Sequence, residues 1–380
     1  MTSTRPRSPR SRRVIGAAVG ALTLVTVAAG SFATAPLAAG AGGQAAGGGG
    51  QVVARGLNSP RLLSFTRSGV LYVAEAGKGG SGPCVMGGEG EPVCLGMTGA
   101  ITQIRHGHAR RVVRHLPSIA GQGGAQALGP ANVRAHGGSL VISMGAGIDA
   151  KARRSLGAKA RHLGTLLRTT VAHPHRQRVI ADIVRFEFRH NPDHSPMRDS
   201  DPTGFMGTRR GFVLTDSGGN DLLRVHRNGR IHVMAVFPDR MVMGPSGQMP
   251  MQAVPTAVDR ARHAYFVSQL TGYPFPPGAA NIYLVRPGHQ PRIWASGLTN
   301  VTDLAWHRGR LYAVQIADQG LLSGPTGSLI RVHRGDNSSP DVVAGNLMAP
   351  YGVALRGHSA YVTTCTLCGT GGQVLRFPIG

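Results

Sequence analysis

The amino-acid sequence predicts an all-β protein: a six-bladed β-propeller of four-stranded blades, with the last blade closed by the N-terminal strand. Three observations carry that prediction. First, a phrase recurs. Val52-Val-Ala-Arg-Gly-Leu-Asn-Ser-Pro60, followed by Tyr72-Val-Ala, is matched near the other end by Val342-Val-Ala-Gly-Asn-Leu-Met-Ala-Pro350, followed by Tyr361-Val-Thr. Ile293-Trp-Ala-Ser-Gly-Leu-Thr-Asn-Val301, followed by Leu311-Tyr-Ala, keeps the spacing with Val301 at the proline position. Second, short runs of Val, Leu, Ile and Tyr are punctuated by Gly and Pro every several residues, while helical periodicity is nearly absent. Third, the final set of strands is one short, and the missing member stands at the start of the domain, which is the circular closure of a propeller.

Residues 1–41 stand outside this fold. Arg5, Arg7, Arg10, Arg12 and Arg13 form a positive head, Val14 to Ala29 is an apolar run, and small residues around Ala39 and Ala41 offer a cleavage site, the pattern of a secretory signal. The apolar run is short and early for a spanning helix, so a cleaved leader is favoured over an uncleaved anchor. The mature chain is therefore expected to be extracytoplasmic, secreted or held in the cell envelope, without a membrane span. Residues 42–50 read as a Gly-rich flexible spacer. Residues 51–380 have no dividing linker and read as one propeller domain, expected as a monomer.

Blade one takes Arg61 to Phe65, Val70 to Ala74, Gly99 to Arg105 and Arg110 to His115. Blade two takes Ala131 to Ala135, Ser139 to Ser143, Gly164 to Thr169 and Arg178 to Ile183, with one short helix, Ala150 to Ala160, between its second and third strands. Blade three begins near Pro202 with a poorly defined first strand, then uses Gly211 to Thr215, Asp221 to His226 and Arg230 to Val236. Blade four runs from Val254 through His263 to Ser268, Asn281 to Arg286 and Pro291 to Ala295; blade five takes Val301 to Trp306, Arg310 to Val314, Ser328 to His333 and Pro340 to Ala344. Blade six has Tyr351 to Leu355, Ser359 to Thr363 and Gln373 to Phe377, completed by Gln51 to Ala54.

This parse sorts the loops onto two faces. Second-to-third-strand and blade-to-blade connections share one face, here called the top, and are long; first-to-second and third-to-fourth hairpins share the bottom and are mostly short. Long loops on one face of a rigid scaffold are where binding usually resides. The parse also divides the charge. The whole chain carries +24, of which the five leader arginines account for +5, leaving +19. Most acids, including Glu75, Glu89, Asp193, Asp199, Asp216 and Asp221, fall in or beside top connections. Bottom turns instead read Arg209-Arg210, His307-Arg308-Gly-Arg310 and His333-Arg334-Gly. A basic face of this kind, with Arg209, Arg210, Arg308 and Arg334 as its representatives, suits anionic cell-envelope polymers. Only two Trp occur, which argues against a stacking platform and hence against specific nucleic-acid binding.

Four cysteines in an exported chain favour disulfides. Of the three connectivities, Cys84 with Cys94 and Cys365 with Cys368 are favoured because each pair shares a loop. Cys365-x-x-Cys368 is also the pattern of a redox pair or half a zinc site, though no thioredoxin-like context and no second such motif accompany it.

Leu71-Tyr-Val-Ala-Glu75-Ala-Gly-Lys-Gly-Gly-Ser-Gly-Pro-Cys84, Thr215-Asp-Ser-Gly-Gly-Asn220-Asp-Leu-Leu-Arg-Val, Met249-Pro-Met-Gln252-Ala-Val-Pro-Thr256 and Gln269-Leu-Thr-Gly-Tyr-Pro-Phe-Pro-Pro-Gly-Ala-Ala-Asn281 resemble the secreted ScyD/ScyE family of propeller proteins, and the resemblance extends over residues 51–380. It implies a six-bladed propeller outside the cytoplasm, related to proteins of a cyanobacterial scytonemin pigment cluster. It implies no reaction and brings no catalytic residues. The chain departs from the family where Pro-Asp-Gly-like hairpins are replaced by Arg/His-rich turns such as His307-Arg308-Gly309.

No Gly-x-Ser-x-Gly elbow, His-Glu-x-x-His or Walker loop is present. The strongest polar set is Glu75, Asp216, Asn220, Asp221, Gln252, Gln269, Asn281, Asp303 and Gln315, expected at equivalent top-face strand ends, where they can converge on the central channel around a small ligand. Such oxygen-rich side chains suit Ca²⁺, with Glu75, Asn220, Asp221 and Asp303 as candidate ligands. The plainer reading is that they cap strand-end turns. Two functions follow: a ligand-binding or scaffold propeller, and, by architectural analogy, a Ca²⁺-dependent lactonase-like hydrolase working in the top of the channel.

Overall fold

Four of the six innermost strands begin at a proline: Pro60–Phe65, Pro130–His136, Pro202–Thr208 and Pro255–Ala261. Proline has no N–H to give a ladder and is tolerated at a strand's first residue, so it marks where the chain leaves a loop and enters the hub. The fifth inner strand, Val301–His307, starts on the β-branched substitute, and the sixth, Val353–Arg356, follows Pro350. A computed structural model describes residues 49–380 apart from Glu89. The expected leader, nearly all of the spacer and Glu89 therefore lie outside the described residues.

The strands form six antiparallel blades around the hub. Blade six is completed by Gln51–Leu57, whose Gln51 pairs with Arg376 and Leu57 with Gly372, as the strand deficit predicts. Blade-to-blade packing is apolar: Ile101 and Val113 meet Val133 and Ile142 between blades one and two, and Val314 and Leu329 meet Val362 and Phe377 between blades five and six. Hydroxyls join neighbouring blades at the hub. Ser64 Oγ donates to Val133 O at 2.6 Å, Ser143 Oγ to Thr203 O at 2.5 Å and Ser217 Oγ to Pro255 O at 2.7 Å. Thr256 Oγ1 donates to Val301 O at 2.8 Å, Thr302 Oγ1 to Tyr351 O at 2.6 Å and Thr363 Oγ1 to Arg61 O at 2.9 Å, which completes the circle.

Both favoured disulfides are present, Cys84–Cys94 and Cys365–Cys368. The first staples the short strand Cys84–Met86 to Pro92–Arg105, which with His108–Ala120 forms a hairpin longer than the sequence parse assigns. The helix expected over Ala150 to Ala160 is divided. Ala150–Ser155 is capped by Asp149, which accepts from Ala152 N, and Gly157, at φ 82°, separates it from a 3₁₀ turn at Ala158–Ala160.

Two elements differ from expectation on the top face. Strand Arg178–Asp182 ends in a helix, Ile183–His190, capped by Asp182 and terminated by Asn191 in the left-handed conformation. A separate hairpin, Arg240–Gly244 with Gly247–Met251, fills the connection between blades three and four. Among the described residues no helix is long and apolar enough to cross a membrane.

Candidate functional site

The inner strands decide which end of the channel is open. In blades two to five their first four residues are buried, and exposure begins only near the bottom hairpins. At the top, Leu62, Ile316, Ala317 and Tyr351 pack together, and the Arg61 guanidinium lies over the Tyr351 ring while donating to Ala127 O. A cavity of about 190 Å³ instead opens in the lower channel, lined by Ser64, Asn132, Arg134, Asp259, Asp303 and Trp306 among others.

The expected top-face set separates into distinct roles. Glu75, Asp216 and Gln315 each end the second strand of a blade, and each accepts a backbone N–H just before the adjacent inner strand: Asn58 N at 2.8 Å, Asp201 N at 2.6 Å and Thr299 N at 2.8 Å. This repeated cap fastens the entry to the hub. Glu75 is fully buried, and also takes Thr102 Oγ1 at 2.5 Å and Arg111 Nη2 at 2.7 Å. Gln315 Nε2 donates to Asp318 at 2.9 Å. Gln269 Oε1 accepts from Asn281 N at 3.1 Å, which fixes the next strand, while Gln252 is half-buried and its carbonyl accepts from Gly272 N at 2.9 Å.

Asp303 lies two residues into an inner strand rather than at a top strand end, so it borders the lower cavity. It accepts from Leu304 N and Val353 N, each at 2.8 Å. Of the four residues considered for Ca²⁺, Glu75 belongs to blade one, Asn220 and Asp221 to blade three, and Asp303 to blade five, and the carboxylates of Glu75 and Asp303 are already taken up by protein donors. Among the described residues, no group of three His, Cys, Asp or Glu side chains is arranged to hold a metal ion.

Burial pushes the Asp303 carboxyl up to about 7, against the pull of its two backbone N–H donors. An unfolded aspartate ionises near pH ~4, so between there and about 7 the native state keeps a proton that the unfolded chain has lost, and stability falls as pH rises through this window. Asparagine cannot ionise, and the acceptor it loses toward one of the two N–H donors costs the same at every pH. Asp303→Asn is therefore expected to gain on the parent protein by roughly 2 kcal/mol between pH 4 and pH 8 in urea unfolding, and a pH-independent difference would refute the assignment.

The top of blade three gathers Asp216, Asn220 and Asp221 with one acid that the sequence reading does not find. Glu187, on the unforeseen helix, is 1% exposed, and neither carboxylate oxygen has a partner; Asp221 is 0% exposed and equally unpartnered. Around them, Asp216 is held by Ser200 Oγ at 2.7 Å, and Asn220 Nδ2 donates to Asp193 at 3.0 Å. Burial, with the charges of Asp216, Asp193 and Asp199, raises Glu187 to about 8. Burial raises Asp216 to about 7, and Asp221 is driven well above the ordinary range by burial and by Asp216 and Glu187.

The bottom face is cationic on every blade. Exposed Arg67, His136, Arg210, Arg262, Arg308 and Arg356 stand in the first hairpins or at their edges, and Arg105, Arg176, Arg227, Arg286 and Arg334 in or beside the second ones. Arg209 is exposed beside Arg210. Between blades five and six, His307, Arg308, Arg310, Tyr312 and His358 line a cavity of about 240 Å³. Of the bottom acids, Asp259 is occupied by Trp306 N at 2.7 Å and Asp341 by Arg331 Nε at 2.6 Å.

No protein-family model and no curated protein matches the chain. Among solved structures it is similar to the PQQ-bound aldose sugar dehydrogenase of Streptomyces coelicolor, at TM-score 0.48 and 12% identity, over 86% of this chain and 96% of that one. It is also similar to an oxidoreductase of the glucose dehydrogenase type from Thermus thermophilus, at 0.45 and 16% over 86% and 98%. A third is a gluconolactonase of Xanthomonas campestris, at 0.46 and 11% over 86% and 89%.

Proposed function

We propose that this propeller is an extracytoplasmic binding scaffold of the ScyD/ScyE type that docks through its bottom face on anionic polymers of the cell envelope. The observation that carries the reading is the placement of cationic side chains in the bottom hairpins of all six blades. Charge spread over a whole face attracts a polyanion at many weak contacts, and the attraction is screened by salt. The cavity between blades five and six adds a recess lined by Arg308, Arg310 and two imidazoles, with Gly380 O accepting from Arg310 on one side. Two disulfides suit an oxidising compartment. The hydrolase reading has less support, since Glu75 and Asp303 are engaged by protein donors and the upper channel is packed.

Retention on a heparin or phosphocellulose column tests the reading. Reversing Arg209, Arg210, Arg308 and Arg334 to Glu is expected to lower the eluting salt concentration by roughly a third. The control reverses Lys151, Arg154, Lys159 and Arg161, exposed on the top connection of blade two, for the same change in net charge. Equal shifts in both variants would show that net charge alone governs retention, and would overturn docking by this face.

A further inference from the structure

The acidic pocket of blade three is independent of the docking face and lies away from the channel axis, at the top ends of its second and third strands. Carboxylates taken out of water need hydrogen bonds, a counter-charge or a proton. Glu187 and Asp221 are buried, and their four oxygens have no hydrogen-bond donor; Asn191 Oδ1, at the end of the same helix, is a fifth buried oxygen without one. The two acids are neighbours electrostatically, since Asp221 feels the charges of Asp216, Glu187 and Asp193. Asp216 and Asp221 stand opposite each other in the ladder of the second and third strands, and Glu187 reaches the turn between them. A methyl group built on Gly219 in that turn would sit 2.8 Å from Glu187 Oε2 and 3.3 Å from Asp216 Cγ, so glycine permits the close approach of these two carboxylates. The backbone itself does not demand glycine there, because Gly219 is not among the glycines with positive φ.

We infer that this carboxylate pair is a binding site for a hard divalent cation, Ca²⁺ by its all-oxygen donor set, with Glu187 and Asp221 as direct ligands and Asp216 as neighbouring charge. Ca²⁺ accepts six to eight oxygens at ~2.4 Å, drawn from carboxylates, amide and backbone carbonyls and water, and tolerates irregular geometry. The described residues contain no ready-made set of three acidic or imidazole ligands. Water and amide oxygens such as Asn191 Oδ1 therefore complete the shell around a carboxylate pair, and the cation draws together side chains that repel one another without it. The helix that carries Glu187 is fixed at its start, where Asp182 accepts from Arg185 N and is bridged by Arg153 at 2.7 Å. A cation would tie the helix's last turn to the strands in the same way.

The test uses the mature chain, stripped with a chelator and exchanged into metal-free buffer at pH 8. Titration with CaCl₂ is expected to give calorimetric heat with one site, and a rise in Tm of about 5 °C at a hundredfold excess over Kd, with MgCl₂ weaker. Glu187→Gln is expected to abolish both signals while raising the Tm of the metal-free protein, because it removes one of the repelling charges and no hydrogen bond. Gly219→Ala keeps every carboxylate but pushes Glu187 out of place, so it too should lose the heat. Absence of heat and of a Tm shift in the parent protein would overturn the site. So would a Ca²⁺ response that persists unchanged in both variants, which marks adventitious surface binding.

Discussion

A chain lacking residues 51–57 is expected to lose the closed ring, with a Tm at least ~10 °C below that of the parent or no soluble product at all. The segment is the outer strand of blade six, paired from Gln51 to Leu57 with Arg376 to Gly372 across two register shifts. Ala54 and Leu57 are buried beside Val374, Leu63 and Leu71, so the strand also seals the joint between blades six and one. Burying a leucine alone is worth about 2 kcal/mol, and the ladder adds several backbone hydrogen bonds. Without the strand, Gly372–Pro378 becomes an open edge able to pair with another chain. The decisive measurement adds a synthetic peptide spanning residues 49–58 to the truncated protein. Restored solubility and Tm would confirm closure by this strand, whereas a truncated protein that melts like the parent would refute it.

Glu75→Ala is expected to lower stability by about 3 kcal/mol in urea unfolding, the second largest loss. Glu75 is buried against Arg111, which is one-third exposed, and together they hold Gly56 O, Asn58 N and Thr102 Oγ1. Removing the carboxylate leaves a charge and two donors without their acceptor at the place where the chain passes from blade six to blade one. Glu75→Gln should recover part of the loss by keeping an acceptor for Asn58. A residue kept only for a ligand would behave in the opposite way, with its removal relieving a buried charge and raising stability.

The ring is legible in the sequence because its signals are local and repeated. Pro60, Pro350 and Val301 mark the same turn into the hub, and the copy at Val52 has no blade of its own. The site is less legible. Ile183-Val-Arg-Phe-Glu-Phe-Arg-His190 alternates Val184, Phe186 and Phe188 with charged residues, a strand-like period, yet folds as a helix that buries Ile183, Val184 and Glu187 on one face. Asp182 three residues before Arg185 is a capping signal, but tertiary packing decides between the two periods, and Glu187 escapes notice as a result. Asp303 groups with the strand-end acids in the sequence because it follows the third copy of the repeat, although two steps into a strand place it elsewhere. The hairpin at Arg240–Met251 has a visible signal, Gly244-Pro-Ser-Gly247, after the exposed Met241 and Met243.

The six hub hydroxyls have a consequence beyond holding blades together. Each blade reaches forward to the next, from Ser64 through Thr363, and none of these contacts involves a bottom turn. The joint thus behaves like a set of latches all facing one rotational sense, set apart from bottom-turn contacts such as His307 Nε2 to Gly357 O between blades five and six. Substitution in a bottom hairpin that makes no such contact therefore leaves every latch in place, so the charge of that face and the strength of the axle can vary independently.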